Sequence, residues 1–184
     1  EICDTTIALM KNPDHEVSDT LLAPDFVGGG YILYDKDEFN KIYKTGRGSV
    51  KVRAKYSYDK KYNCIDITQI PPTTTSEAII DKVVELVKTN KVKEISDIRD
   101  ETDLSGLKIT IDLKRGIDAD KFMTKLYKMT PLQDSFSCNF NVLIKGRPVV
   151  LGVRDILLEW VDFRLECIRR RITFFFRTSF KRFI

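Results

Sequence analysis

The chain has 184 residues, 42% of them hydrophobic and 32% charged, with a formal net charge of +4. These proportions are those of a folded globular protein rather than a disordered one, and no apolar run approaches the roughly 20 residues of a membrane span. Four widely spaced cysteines and one histidine argue against a zinc site and favour reduced thiols in a cytoplasmic protein. Because the chain starts with glutamate and lacks a basic n-region, we expect a piece of a longer protein without a signal peptide.

The first seventy residues predict short elements separated by polar loops. In order, these are a helix over 2–11, a helical turn over 18–22, a strand over 31–34, a helix over 37–43 with Phe39 and Ile42 inward, and a hairpin over 49–58 and 62–70. Residues 24–30 end in three glycines and predict a loop. A phosphate-cradling loop is the sharper alternative, and we reject it because no G-K-[ST] is present and no helix opens directly after the glycines.

The remainder predicts alternating strands and helices. Helices are predicted over 76–90, 118–129 and 153–173, and strands over 93–98, 107–113 and 135–144, with a turn at 146–148. Acid-rich residues 100–106 predict a polar turn, with a divalent-metal site as the alternative. The order predicts an α+β fold: a two-layer domain with a mostly antiparallel sheet and helices on one face, followed by the start of a long helical arm.

Residues 47–56 alternate strictly between polar and apolar side chains. In a strand this places Arg47, Lys51, Arg53 and Lys55 on one face and the aliphatic side chains on the other. Residues 41–61 contain eight lysines and arginines and one acid. Same-face side chains lie about 6.6 Å apart, a spacing suited to a polyanion such as DNA. A solvated outer face, whose lysines discourage edge pairing, is the alternative.

Two glycines bracket the first of these cations. Gly46 and Gly48 would allow the backbone beside Arg47 to approach a phosphate closely, and a role in capping the turn is the alternative. Weaker candidates for phosphate contacts are Lys114 with Arg115, and the arginines at 169–171, for which a solvated face or a helix end is the simpler interpretation. No nucleophile–base arrangement is visible, since His15 stands alone after a proline turn.

Several motifs, in consistent order, resemble the A subunits of type IIA DNA topoisomerases, meaning DNA gyrase and topoisomerase IV. Residues 24–29 (P-D-F-V-G-G) resemble their P-D-F-P-T-G-G, and residues 43–48 (Y-K-T-G-R-G) match Y-x-T-G-R-G. Residues 67–71 (I-T-Q-I-P) are similar to I-T-E-I-P, and 99–103 (R-D-E-T-D) to R-D-E-S-D. Residues 126–139 follow L-Y-x-x-T-x-L-Q-x-S-F-x-x-N, and 170–174 approximate R-R-T-x-F.

The resemblance implies a bacterial ATP-dependent isomerase that supercoils or decatenates DNA by double-strand passage. This segment would be its tower domain, which binds and bends duplex DNA beside the cleavage site through Gly46, Arg47, Gly48, Lys51, Arg53 and Lys55. The partners would be duplex DNA and the topoisomerase B subunit, which uses Mg²⁺ and ATP, and no cofactor is expected in the fragment itself. The full enzyme would be a homodimer of A subunits, while a monomeric fragment is compatible with the sequence.

The resemblance also implies limits and domain divisions. The family's catalytic tyrosine follows an arginine, and none of the seven tyrosines here does, so the fragment is expected to bind DNA without cleaving it. We expect a helical connector over 1–23, the tower domain over 24–152, the start of a coiled-coil arm over 153–174 and an atypical tail over 175–184. The basic, aromatic sequence of that tail is not typical of the family, and we expect the tail to be unrelated to it. A frameshifted end is one explanation, and a tail that binds a membrane surface or a nucleic acid is the other.

Two other functions stay open at this point. The chain could be a non-enzymatic RNA-binding module, which a preference for single-stranded RNA would indicate. It could also be a protein-binding α+β domain whose strand cations serve solubility, which an absence of nucleic-acid binding at low salt would indicate.

Overall fold

A computed structural model describes residues 1–180 in terms of secondary structure. The helices are α1 (Ile2–Lys11), α2 (Lys36–Thr45), α3 (Ser76–Lys88), α4 (Ala119–Met129) and α5 (Val153–Phe180), with a 3₁₀ turn at Val17–Asp19. The strands are β1 (Tyr31–Leu33), β2 (Arg47–Arg53), β3 (Lys55–Asp59), β4 (Cys64–Gln69), β5 (Ile95–Asp100), β6 (Ile109–Leu113), β7 (Gln133–Asn139), β8 (Asn141–Ile144) and β9 (Arg147–Val150).

The chain forms two compact units, which we describe separately. One comprises Glu1–Leu22, Asp35–Gly48 and the chain from Cys138 onwards, and the other comprises Ala23–Tyr34 and Ser49–Ser137. We call them the helical unit and the sheet unit. Both are discontinuous in sequence, because the strands and helices of each are supplied by separated stretches of chain.

The sheet unit is built on a four-stranded antiparallel sheet in the order β3-β4-β6-β5. On one face, Ile65 lies opposite Ile111 and Ile67 opposite Ile109, and all four side chains are fully buried. Helices α3 and α4 contribute their apolar residues to the same core. The other face carries polar residues such as Asp112. The predicted two-layer α+β architecture is confirmed.

The helices of the sheet unit begin where the sequence places their caps. The Thr75 hydroxyl accepts a hydrogen bond from the Ala78 N–H at 3.3 Å, and the Asp118 carboxylate accepts from the N–H groups of Asp120 and Lys121. Such caps satisfy donors that the first helical turn leaves unpaired. They fix α3 and α4 at the ends that the pattern predicts.

The predicted continuous strand through residues 49–58 is wrong at one residue. β2 ends at Arg53 and β3 begins at Lys55, in a different sheet. Between them, the Ala54 N–H donates to the Leu132 carbonyl at 2.8 Å, and the Ala54 carbonyl accepts from the Tyr127 hydroxyl at 2.9 Å. Because both polar groups of Ala54 bond outside the strand ladders, the chain leaves one sheet here and enters the next.

Two more predictions, which concern residues 135–148, are wrong in detail. The strand predicted over 135–144 is divided at Phe140, whose N–H donates to the Gly46 carbonyl at 2.9 Å, so β7 and β8 are separate. The turn predicted at 146–148 falls one residue earlier: Lys145 and Gly146 both have positive φ, of 50° and 79°, which closes a tight hairpin. Ile144 then pairs with Arg147, the first residue of β9.

Helix α5 extends beyond its predicted end at residue 173 and reaches Phe180. Its sequence contains no glycine or proline that would end it. The predicted tail therefore begins as helix, and residues 181–184 lie outside the described residues. Through residue 180, none of the helices is both long and apolar enough to cross a membrane.

Candidate nucleic-acid interface

The predicted alternation of burial along residues 50–55 is confirmed in the sheet unit, although the single strand that would place all four cations on one face is divided at Ala54. Val50, Val52 and Ala54 are at most 3% exposed. Lys51 and Lys55 are exposed and Arg53 is half-buried. We call Lys51, Arg53 and Lys55 the strand cations. Although Lys55 belongs to a different sheet from the other two, the alternation continues across Ala54, because that residue is buried like its apolar neighbours.

Arg53 is held by two side chains that flank it. Its Nε donates to the Gln133 side-chain oxygen at 2.5 Å, and its guanidinium carbon lies 5.1 Å from the centre of the Tyr127 ring. The hydrogen bond uses only the inner nitrogen of the guanidinium. The two terminal nitrogens donate no hydrogen bond to another described residue, and they are the pair that can bind two oxygens of one phosphate.

A groove of about 400 Å³ lies beside Arg53 in the sheet unit. It is lined by Tyr31, Leu33, Arg53, Tyr56, Asp120, Thr124, Tyr127, Lys128 and Gln133. The Tyr56 hydroxyl donates to Asp120 at 2.7 Å, and burial together with this bond raises the pKa of Tyr56 well above its ordinary value. Asp120, the acid of the groove, therefore accepts a hydrogen bond from the neutral Tyr56 phenol, and it forms no ion pair with Arg53.

Within the part of the chain that the structure describes, the strand cations have no acidic partners, unlike cations of the sheet unit such as Arg99 and Lys108. Among residues 1–180, no carboxylate lies within ion-pair distance of Lys51, Arg53 or Lys55. By contrast, Arg99 contacts Asp112 at 2.8 Å on the polar face of the four-stranded sheet. Unpaired cations keep their full attraction for an anion in solution.

The other predicted site residues lie in the helical unit. Gly46 ends α2 with φ of 70°, and its N–H donates to the Ile42 carbonyl, while a Cβ there would overlap the Leu151 carbonyl oxygen. At Gly48 a Cβ would overlap the Ile42 side chain. Packing alone therefore requires both glycines. Arg47 between them is exposed, and its N–H donates to the Thr45 hydroxyl at 3.2 Å.

Comparison with known proteins identifies the family. A model of the family that comprises the A subunits of DNA gyrase and topoisomerase IV matches residues 1–183. The chain belongs to this family. The match includes residues 175–183, so the expectation that this tail is unrelated to the family is wrong.

Curated relatives within the gyrase A family come from plants and bacteria. The chain is 38% identical over 182 residues to the chloroplastic/mitochondrial DNA gyrase A subunit of Arabidopsis thaliana, covering 95% of this chain and 19% of the relative. It is 38% identical over 185 residues to the DNA gyrase A subunit of Borreliella burgdorferi, covering 97% of this chain and 23% of the relative. The chain thus spans about a fifth of the length of these relatives, and they include organellar as well as bacterial proteins.

The gyrase A family motif around residues 126–139 contributes two side chains to the candidate site that spacing in the sequence does not reveal. Gln133 belongs to that motif, and from the sequence its side chain could serve only to satisfy backbone groups. In the structure, its side-chain oxygen instead accepts a hydrogen bond from the Arg53 Nε. Tyr127, in the same motif, stacks on the same guanidinium. The family motif marks Tyr127 and Gln133 as candidates, but their spacing does not link them to Arg53. The contact between Gln133 and Arg53 joins residues 80 positions apart and therefore depends on the fold.

The secondary candidates are divided between the units. Lys114 and Arg115 are exposed in the turn after β6, in the sheet unit. The arginines at 169–171 lie within α5 in the helical unit, where Arg170 donates to the Cys167 sulfur at 3.3 Å. His15 is half-buried there, with its Nε2 at 3.0 Å from the Thr20 hydroxyl.

Proposed function

We propose that this segment of a gyrase/topoisomerase IV A subunit binds duplex DNA through the strand cations and orients it without reading its sequence. The observation that carries the proposal is the held guanidinium of Arg53, with its terminal nitrogens unpaired and an exposed lysine two residues away on either side. Contacts of this kind with phosphate oxygens fix the position of a duplex but do not distinguish bases.

In the whole protein, this segment would be the tower beside the cleavage site of a type IIA topoisomerase. Smooth bending of a short duplex by 40–90° costs about 1–6 kcal/mol. Cations that draw the duplex arms toward the protein would offset this cost. The catalytic tyrosine would be supplied by another part of the same polypeptide, ATP hydrolysis and Mg²⁺ by the B subunit, and the second copy of the site by dimerisation of A subunits.

The salt dependence of DNA binding tests the proposal. Each phosphate contact that is lost should reduce the slope of log affinity against log salt by about 0.9, so replacing all three strand cations by glutamine should reduce it by about 2.7. The variant is Lys51→Gln, Arg53→Gln, Lys55→Gln. A matched control removes three cations from helices of the sheet unit: Lys82→Gln, Lys88→Gln, Lys121→Gln.

We expect the control to retain the slope of the unmodified chain, measured by fluorescence anisotropy with a labelled duplex. If both variants reduce the slope equally, binding depends on net charge and the strand cations are not the site. Tighter binding of single-stranded RNA than of duplex DNA would instead favour an RNA-binding module.

A further inference from the structure

Two turns meet at one end of the four-stranded sheet. One joins β3 to β4 and the other follows β6. Asn63, in the first turn, has φ of 53°, and its side-chain amide donates to the Leu113 carbonyl at 2.7 Å. The Leu113 N–H donates in return to the Asn63 carbonyl at 3.0 Å. This reciprocal pair fixes the two turns beside each other, although they lie fifty residues apart in sequence.

The paired turns present four exposed cations. We call them the turn cluster: Lys60, Lys61, Lys114 and Arg115. No acid of the described chain lies within ion-pair distance of any of them.

The acids that flank these turns already have partners. Asp112 pairs with Arg99 at 2.8 Å, and Asp118 pairs with Lys121 at 3.6 Å. The Asp59 carboxylate accepts from the backbone N–H groups of Lys61 and Tyr62, at 2.7 and 3.3 Å. Glu94, whose carbonyl accepts from the Lys114 N–H, pairs its carboxylate with Lys125 at 2.7 Å. The turn cluster is therefore a surface of four cations that form no ion pair within the described part of the sheet unit.

An aromatic side chain adjoins this charge. Tyr62 is 68% exposed, and the Lys61 ammonium lies 4.8 Å from the centre of its ring. A hydroxyl at the end of an exposed ring can donate to a phosphate oxygen, as tyrosines do in protein–DNA contacts. The combination of four cations and a donor suits a nucleic-acid backbone.

The turn cluster and Lys55, the last of the strand cations, lie at opposite ends of one edge strand. β3 forms the edge of the four-stranded sheet, begins at Lys55 and ends at Asp59, immediately before Lys60. Four steps of about 3.4 Å make this strand roughly 14 Å long. The same length of duplex contains about four base pairs. One duplex lying along β3 could therefore contact both sets of cations.

We propose that the turn cluster is a second phosphate-binding site for the duplex that the strand cations bind. The inference rests on the proposed function, because the strand cations supply the first contact. A duplex that reaches only the strand cations should leave the turn cluster empty. A longer one should gain up to four phosphate contacts and a steeper salt dependence.

DNA hairpins of two stem lengths test this inference on the 184-residue chain. A stem of about three base pairs, roughly 10 Å, is shorter than β3 and cannot reach from Lys55 to Lys60, whereas one of about fifteen can. The turn-cluster variant is Lys60→Gln, Lys61→Gln, Lys114→Gln, Arg115→Gln. Its control replaces four helix cations by glutamine: Lys41, Lys82, Lys88 and Lys121.

On the long stem, loss of four contacts should reduce the salt slope by about 3.6. When salt is raised from about 50 to 200 mM, the fold-loss of affinity should therefore be roughly 100 times smaller for the variant than for the unmodified chain. On the short stem, the turn-cluster variant should bind like the unmodified chain. The control should match the unmodified chain on both stems.

The two proposals fail in different ways. If the strand-cation variant loses affinity on both stems but the turn-cluster variant keeps the full slope on the long stem, the second site is refuted and the first stands. If the strand-cation variant binds the short stem like the unmodified chain, the proposed function is refuted. Equal losses for the turn-cluster variant and its control would also refute the second site, because net charge would explain them.

Discussion

Replacing Gln133 by methionine should weaken DNA binding without changing its salt dependence. The side chains have similar length, but methionine cannot accept the hydrogen bond that the Arg53 Nε makes at 2.5 Å. All charges remain, so the number of phosphates that can be neutralised is unchanged. What changes is the freedom of the guanidinium, which then depends on Tyr127 alone for its orientation.

The size of the effect follows from side-chain entropy. A free arginine side chain carries about 2 kcal/mol of rotamer entropy. The contact of the guanidinium with the Tyr127 ring is worth about 0.5–1 kcal/mol at a partly exposed position, so the Arg53 side chain remains partly ordered. We therefore expect Gln133→Met to cost about 0.5–1.5 kcal/mol of binding free energy, a rise in Kd of roughly 2- to 10-fold.

Anisotropy titrations of Gln133→Met and Arg53→Gln at several salt concentrations distinguish orientation from charge. Arg53→Gln should lower the slope by about 0.9, whereas Gln133→Met should keep it. In the double variant, the Gln133 substitution should have no further effect, because its partner is gone. An unchanged Kd for Gln133→Met, with Arg53→Gln clearly weakened, would refute the positioning role.

Three further predictions concern stability. Ile111→Ala removes a fully buried side chain from the central strand β6 and should cost about 2–5 kcal/mol in denaturant unfolding, against less than about 0.5 kcal/mol for Val87→Ala at a 38% exposed site. Asp118→Ala removes the α4 cap and should cost about 1 kcal/mol, a loss that Asp118→Asn should largely avoid. The folded state raises the pKa of Tyr56, so the protonated phenol stabilises the fold fully below the ordinary pKa of 10.0, and this stabilisation is lost as pH rises above that value. Between about pH 9 and 11, the free energy of unfolding of the Tyr56→Phe variant should therefore fall less than that of the unmodified chain.

Patterns of period two and 3.6 predict the buried faces of β2 and α2. Val50 and Val52 are buried as alternation requires, and Phe39 and Ile42 are buried as the helix spacing requires. Such patterns report which side of an element meets a core. They do not report which sheet a strand joins, because alternation is the same in every sheet.

The break at Ala54 shows why the strand boundaries were not predictable. The residues on either side continue the alternation, and Ala54 itself fits the apolar face. Its backbone groups bond to Leu132 and Tyr127, more than seventy residues later in the chain. The end of β2 is thus decided by tertiary hydrogen bonds, which override the local preference for an extended chain.

The same contacts explain how the candidate site depends on the core of the sheet unit. Helix α4 buries Phe122, Met123 and Leu126 against the sheet, and the next residue, Tyr127, reaches both the Ala54 carbonyl and the Arg53 guanidinium. One side chain therefore fixes the point where the chain changes sheets and supports the cation beside it. Since Tyr127 is carried by a packed helix and not by a loop, the orientation of Arg53 is set when the sheet unit folds, before any ligand is bound.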